Sequence, residues 1–118
     1  MHLGYTIQSV YLYRQPVDFR KSINGLSVLV AKELGLDPFA ASLYVFTNRH
    51  RNKLKILYWD RNGFCLWYKR LEKDRFIWPR LTNQNKICLS AKELEFLLDG
   101  YDLFSKKPHE VLNYDCVA

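Results

Sequence analysis

Residues 53–79 read KLKILYWDRNGFCLWYKRLEKDRFIWP, and the alternation within them decides the fold. Leu54, Ile56 and Tyr58 fall on one side of an extended chain; Lys53, Lys55, Leu57 and Trp59 fall on the other. That is the period of two that a strand requires. Asp60-Arg61-Asn62-Gly63 is a turn sequence, and its Asn-Gly pair favours a tight hairpin. Phe64–Leu71 is therefore expected to return antiparallel. Phe76-Ile77-Trp78-Pro79 begins as a further short strand, which Pro79 closes.

Leu43–Phe46 reads as a strand joined to the hairpin by the polar, basic loop 47–52, so three antiparallel strands form a meander. Val10–Tyr13 is another strand, ended by Pro16. Asp18 is a suitable N-cap, able to accept from the amide of Arg20 or Lys21. Phe19, Ile23, Leu26, Leu29, Val30 and Leu34 recur at spacings of three and four, the apolar face of a helix over residues 19–34. Gly35 supplies its stop in the left-handed conformation that glycine tolerates. Gly25, inside that helix, costs about 1 kcal/mol relative to alanine and calls for close packing or a function. Asp37-Pro38-Phe39 is a turn or the start of one helical turn. Ile87–Leu89 is a short extended piece. Ser90 and Glu93 then form a capping box for a second helix, which buries Leu94, Leu97 and Leu98 and stops at Gly100.

The expected fold is α+β: a small, mainly antiparallel sheet, built on a meander, with a helix packed across it and a short C-terminal helix. One such domain spans residues 1–104, and the polar, aperiodic stretch 105–118 reads as a flexible tail. A chain of 118 residues holds one core. Hydrophobic content of 48% with 25% charged residues is that of a globular protein. There is no apolar run long enough for a membrane span, and the first residues lack the basic and apolar regions of a signal peptide. A cytoplasmic location is expected. Cys65, Cys88 and Cys116 are odd in number and widely spaced, with no CxxC pair and with His2, His50 and His109 far away in sequence. They read as reduced thiols, Cys65 as a small buried hydrophobe, with no metal or cofactor expected.

The net charge of +6 is unevenly spread. Between Asn48 and Arg80, ten Lys and Arg stand against Asp60, Glu72 and Asp74, a balance of +7. A localised positive field favours an anionic partner, nucleic acid first. Cations neutralise phosphates, and flat rings stack on bases. Arg49, Arg51, Lys53, Lys55, Lys69, Arg70, Lys73 and Arg75 are the phosphate candidates. Arg20 and Lys21, at the start of the first helix, extend the set. Trp59, Trp67 and Trp78 are the candidate rings. The same mixture also suits an ordinary sheet with rings inside and charges outside, and Tyr, Trp and Arg equally dominate protein interfaces.

Catalytic chemistry has little support. Asp18, Asp37, Asp60, Asp99 and Asp102 are the carboxylates that a two-metal nuclease would have to converge, yet turn and capping roles account for Asp18 and Asp60. No GxSxG, HExxH or GxxxxGK[ST] is present.

The ordered motifs resemble a known family. They are Val17-Asp18-Phe19-Arg20-Lys21 with Asn24-Gly25-Leu26, Asp37-Pro38-Phe39, Leu43–Phe46, Lys55-Ile56-Leu57-Tyr58-Trp59-Asp60, Gly63-Phe64, Lys69-Arg70-Leu71-Glu72, Arg75-Phe76, Trp78-Pro79 and Leu97-Leu98-Asp99-Gly100. Together they are similar to the accessory protein of the second reading frame of insertion-sequence-66-type transposable elements, the TnpB type. The likeness covers about Val10 to Asp102. Ser22, Asn24, Ser42 and Asp74 depart from it, standing where that family usually has glycine, aspartate, glycine and glycine. The resemblance implies a non-catalytic protein needed for or promoting transposition, beside a separate transposase that performs strand transfer and another accessory protein of the same element. It implies DNA, in particular element ends, or the transposase as partner. A module that docks on the transposase without touching DNA is the alternative it leaves open.

Overall fold

The computed structural model describes residues 9–79 and 83–104. Five strands and two helices follow in the order β1 (Ser9–Tyr13), α1 (Ile23–Lys32), β2 (Ser42–Thr47), β3 (Lys53–Asp60), β4 (Gly63–Arg70), β5 (Lys86–Leu89) and α2 (Ala91–Leu98). The sheet order is β4-β3-β2-β1-β5. β2, β3 and β4 form the expected antiparallel meander, with Trp59 opposite Phe64 and Lys53 opposite Arg70. β1 pairs parallel to β2 after the α1 crossover and antiparallel to β5.

The alternating side chains build two cores, one on each face. On one side Val10, Leu12, Leu43, Val45, Leu54 and Ile56 pack with Leu94 and Leu97 of α2 and with Phe76 and Trp78. On the other, Tyr13, Tyr44, Phe46 and Leu57 pack with Leu26 and Val30 of α1. The central strand β2 is buried along its whole length because helices cover both faces. Each fully buried aliphatic side chain contributes about 1.5–3 kcal/mol relative to exposure.

Several local expectations change. α1 begins at Ile23 after Ser22, not at Phe19. Asp18 instead closes a turn: its Oδ1 accepts from the amide of Arg20 at 2.9 Å, and its carbonyl accepts from the amide of Lys21. Gly25 lies where a Cβ would come within 3.2 Å of the Lys21 side chain, so the lysine stem can cross the helix there. Gly35 takes the left-handed φ of +63° expected of it. At the hairpin the central pair is Arg61-Asn62, with Asp60 opposite Gly63, and Arg61 carries the positive φ of +54°. Residues 76–79 form no strand: Phe76 and Trp78 both turn into the core, and the Trp78 indole donates to the Arg14 carbonyl at 3.0 Å.

α2 bears the full expected capping box. Glu93 N–H donates to Ser90 Oγ at 3.0 Å, and Ser90 N–H donates to Glu93 Oε1 at 2.8 Å. Cys65 is a half-buried free thiol. Cys88 lies on β5 opposite Tyr11 of β1, and Cys116 lies outside the described residues. The sequence boundary at residue 104 and the tail 105–118 concern a stretch that begins where the described residues end. No helix among the described residues is long and apolar enough to cross a membrane.

Candidate nucleic-acid interface

The strand period sorts the basic segment onto two faces of the sheet. Lys53, Lys55, Leu57 and Trp59 of β3 lie directly opposite Arg70, Tyr68, Leu66 and Phe64 of β4, all on the α1 side. Trp67 and Lys69 occupy the α2 side. The central cations are therefore divided by the sheet and do not form one continuous stripe.

On the α1 side, Lys53 and Arg70 form the last pair of the ladder. Like charges directly opposite one another destabilise a sheet, so this pair carries a standing electrostatic cost that an anion would relieve. Arg70 meets Glu72, Nε to Oε1 at 3.0 Å, both exposed, an ion pair of little weight in water. Next along the ladder is the pair Lys55–Tyr68. Tyr68 is 48% exposed, and Phe19 packs against it with ring centroids 6.3 Å apart. Phe19 is flanked in sequence by Asp18 and by exposed Arg20 and Lys21.

Lys55 has a different task from the one its charge suggested. It is buried, and its Nζ donates to the carbonyls of Phe19 and Lys21, each at 2.8 Å, while lying 4.7 Å from the centroid of the Phe19 ring. Burial pushes its pKa down, with Asp18 opposing. The lysine clamps the 19–21 segment to the face of the sheet on which Phe19 meets Tyr68. Arg20 forks onto Asp18, Nη2 to Oδ2 at 2.6 Å. Those hydrogen bonds hold the Asp18 carboxyl down to about 2 and push the guanidinium up. Lys69 is likewise committed, donating from Nζ to the Leu98 carbonyl at 2.9 Å at the end of α2.

The loops at that end of the sheet bring further cations together. The Leu71 amide donates to the Asn52 carbonyl at 2.8 Å, and the Phe76 amide to the Arg51 carbonyl at 2.7 Å. These bonds hold the 48–52 turn beside the 71–76 loop. Arg49, Lys73 and Arg75 are exposed there, and Arg51 is half-buried with φ +59°. Glu72 and Asp74 are the carboxylates of the same loop. A cleft of about 970 Å³ opens toward the α2 side, with Lys73 and Arg75 among its lining residues together with Asp99 and Asp102. Its charges are mixed, and no group of metal-ligating side chains gathers among the described residues.

The candidate rings separate in the same way. Trp78 is 3% exposed and belongs to the core. Trp67 packs against that core. Trp59 forms a cluster with Phe39 and Phe64, centroids 5.0–5.2 Å apart, at the opposite end of the hairpin from Lys53 and Arg70. The exposed ring among the cations is Tyr68, which sequence reasoning passed over. Its signal was available, since positions 68 and 70 share a face in any strand.

A family model described as IS66 Orf2 like protein matches residues 8–108. Among curated proteins, the uncharacterized protein y4jC of Sinorhizobium fredii (strain NBRC 101917 / NGR234) is 38% identical over 88 residues, which cover 75% of this chain and 74% of the relative. The uncharacterized protein y4hO of the same organism is 34% identical over 93 residues, 79% of this chain and 80% of the relative. No solved structure matches the chain.

Proposed function

The chain belongs to the IS66 Orf2-like family, and we propose that it serves transposition of its element as a DNA-binding accessory rather than as the enzyme. The family assigns a transposition-associated accessory role. The finer reading rests on one observation, the like-charged Lys53–Arg70 pair on the α1 face. Exposed Tyr68 is next on the same face. Arg20 and Lys21 lie on the segment that Lys55 ties to the sheet, and Arg49, Lys73 and Arg75 are exposed in the loops at that strand end, the last two toward the α2-side cleft. Cations at the strand end and in the adjoining loops would hold phosphates, and Tyr68 would lie against a sugar or an unstacked base. Lys55, Lys69 and Trp78 act beneath this surface as supports.

The reading places the protein in the cytoplasm with element-end DNA and with the transposase and other accessory protein of the same element, and it needs no metal or cofactor. The alternative, docking on the transposase alone, has its own support in the exposed apolar surface at Phe39, 56% exposed, beside Trp59 and Phe64. A fluorescence titration against element-end and random DNA at two salt concentrations separates them. DNA binding that weakens steeply with salt supports the accessory reading. A folded protein that binds neither DNA at low salt moves the assignment to the protein-docking reading. Plasmid incubated with the protein and magnesium or manganese should remain intact, and cleavage lost on mutating Asp18 or Asp60 would overturn the non-catalytic part.

A further inference from the structure

We propose that the β4 edge pairs antiparallel with the β4 edge of a second copy of this chain, joining two sheets across a two-fold axis. This pairing is set by backbone geometry and is independent of DNA binding.

β4 is an outer strand of the sheet, and among the described residues its partner is β3. Asn52 and Leu71 continue the β3–β4 register, and the Leu71 amide donates to the Asn52 carbonyl. Hydrogen-bonded positions alternate along an antiparallel pair. Residues 63, 65, 67 and 69 therefore direct their backbone groups at β3. Phe64, Leu66, Tyr68 and Arg70 direct theirs outward, away from the sheet.

Natural edge strands are guarded by shortness, proline, bulges or inward charges. The other edge, β5, has four residues. β4 has eight, with no proline, and its register runs unbroken from Lys53–Arg70 to Asp60–Gly63. Its charges sit at one end, and Lys69 there is drawn onto the Leu98 carbonyl of α2. Among the described residues the strand is long, regular and unguarded over Phe64–Tyr68.

The sequence of this edge complements itself. A two-fold axis through Leu66, normal to the sheet, sets Leu66 opposite Leu66, Phe64 opposite Tyr68 and Cys65 opposite Trp67. Lys69 then meets Gly63 and Arg70 meets Asn62, so no cation faces a cation. A parallel arrangement would align the two basic ends, and like charges directly opposite are destabilising. Aromatic pairs across an antiparallel ladder are favourable. Because the axis is normal to the sheet, the α1 faces of both copies lie on the same side. The two Arg70 positions are then about 27 Å apart, eight residues at ~3.4 Å.

The test is sedimentation equilibrium of the wild type and Tyr68→Pro over a wide concentration range. Pro at 68 removes an outward amide and leaves the β3 ladder intact. The wild type should move from the mass of one chain to that of two, and Tyr68→Pro should stay at one with unchanged circular dichroism. Residue-resolved amide exchange on the wild type covers the case in which the variant misfolds. The amides of 64, 66 and 68 should gain protection as concentration rises, while those of 65, 67 and 69 are protected throughout. A wild-type monomer at every concentration, or outward amides that exchange freely in a dimer, would overturn the proposal. Protection of those amides only on adding purified transposase would overturn it too and give the edge to a strand of that partner.

Discussion

Lys53 and Arg70 face each other as the terminal pair of the β3–β4 ladder, two cations on one face with Glu72 as the nearby counter-charge. Replacing both by glutamine should flatten the plot of log K against log salt by about 1.8, at about 0.9 for each phosphate no longer neutralised. Stability should hold or rise by a few tenths of a kcal/mol, because like charges directly opposite are removed. Titrations at several salt concentrations and urea unfolding check both halves. A flattened slope accompanied by unfolding would leave the surface role unsupported.

Lys55 should give the crossed result. Lys55→Met keeps the stem but leaves the carbonyls of Phe19 and Lys21 without their donor. Loss of partners for buried polar groups costs about 1–3 kcal/mol each, so the urea midpoint should fall clearly. The salt slope should change little, since a buried ammonium releases no phosphate counterion. A variant of full stability and flattened slope would return Lys55 to the DNA surface.

Tyr44 links stability to alkaline pH. Its hydroxyl donates to the Asp37 carbonyl at 2.5 Å, and burial, with Tyr11 and Asp37 adding and Ser42 opposing, pushes its pKa up to about 12 from 10.0. A folded pKa above the unfolded value means that the folded state holds the proton longer. The contribution is complete below pH 10 and is lost as pH rises toward 12. Raised Tyr13 adds in the same sense and lowered Lys55 in the opposite one, so the comparison of wild type with Tyr44→Phe isolates the group. The variant should be less stable by about 1 kcal/mol at neutral pH and should lose less stability than the wild type across that window.

The hairpin was legible in the sequence because two signals agreed, a period of two on both sides and turn residues between them. The capping box of α2 was legible because it is local, three residues apart. Longer-range features were not. The parallel pairing of β1 with β2 depends on a crossover that no local pattern records. The start of α1 was placed early because Phe19 fits the helical spacing, yet it packs on Tyr68 while Lys55 ties its carbonyl down. For the candidate site, charge located the region but not the faces. Lys55 and Lys69 alternate with other cations in sequence, and only tertiary contacts reveal that backbone carbonyls take them. Trp78 failed as an exposed ring for a plain reason: a large apolar side chain beside a core enters it.

Asp74 joins backbone strain to charge. It holds φ +61° in the loop between Lys73 and Arg75, at a position where the family it resembles usually has glycine. The left-handed region costs an L-residue about 1–2 kcal/mol, less for aspartate, and costs glycine nothing. Asp74→Gly should therefore keep the loop, with stability within about 1 kcal/mol of wild type because glycine also frees the unfolded chain. It removes a carboxylate from among the loop cations, so DNA affinity at low salt should rise by a factor of a few. Asp74→Ala removes the same charge but forces alanine into the left-handed region. It should raise affinity similarly while lowering stability by about 1 kcal/mol. Binding titrations and thermal melts on the pair distinguish charge from conformation. Equal affinity in wild type and both variants would mean that the 71–75 loop lies off the DNA path, leaving the α1-face pair and the Arg20–Lys21 segment to carry the contact.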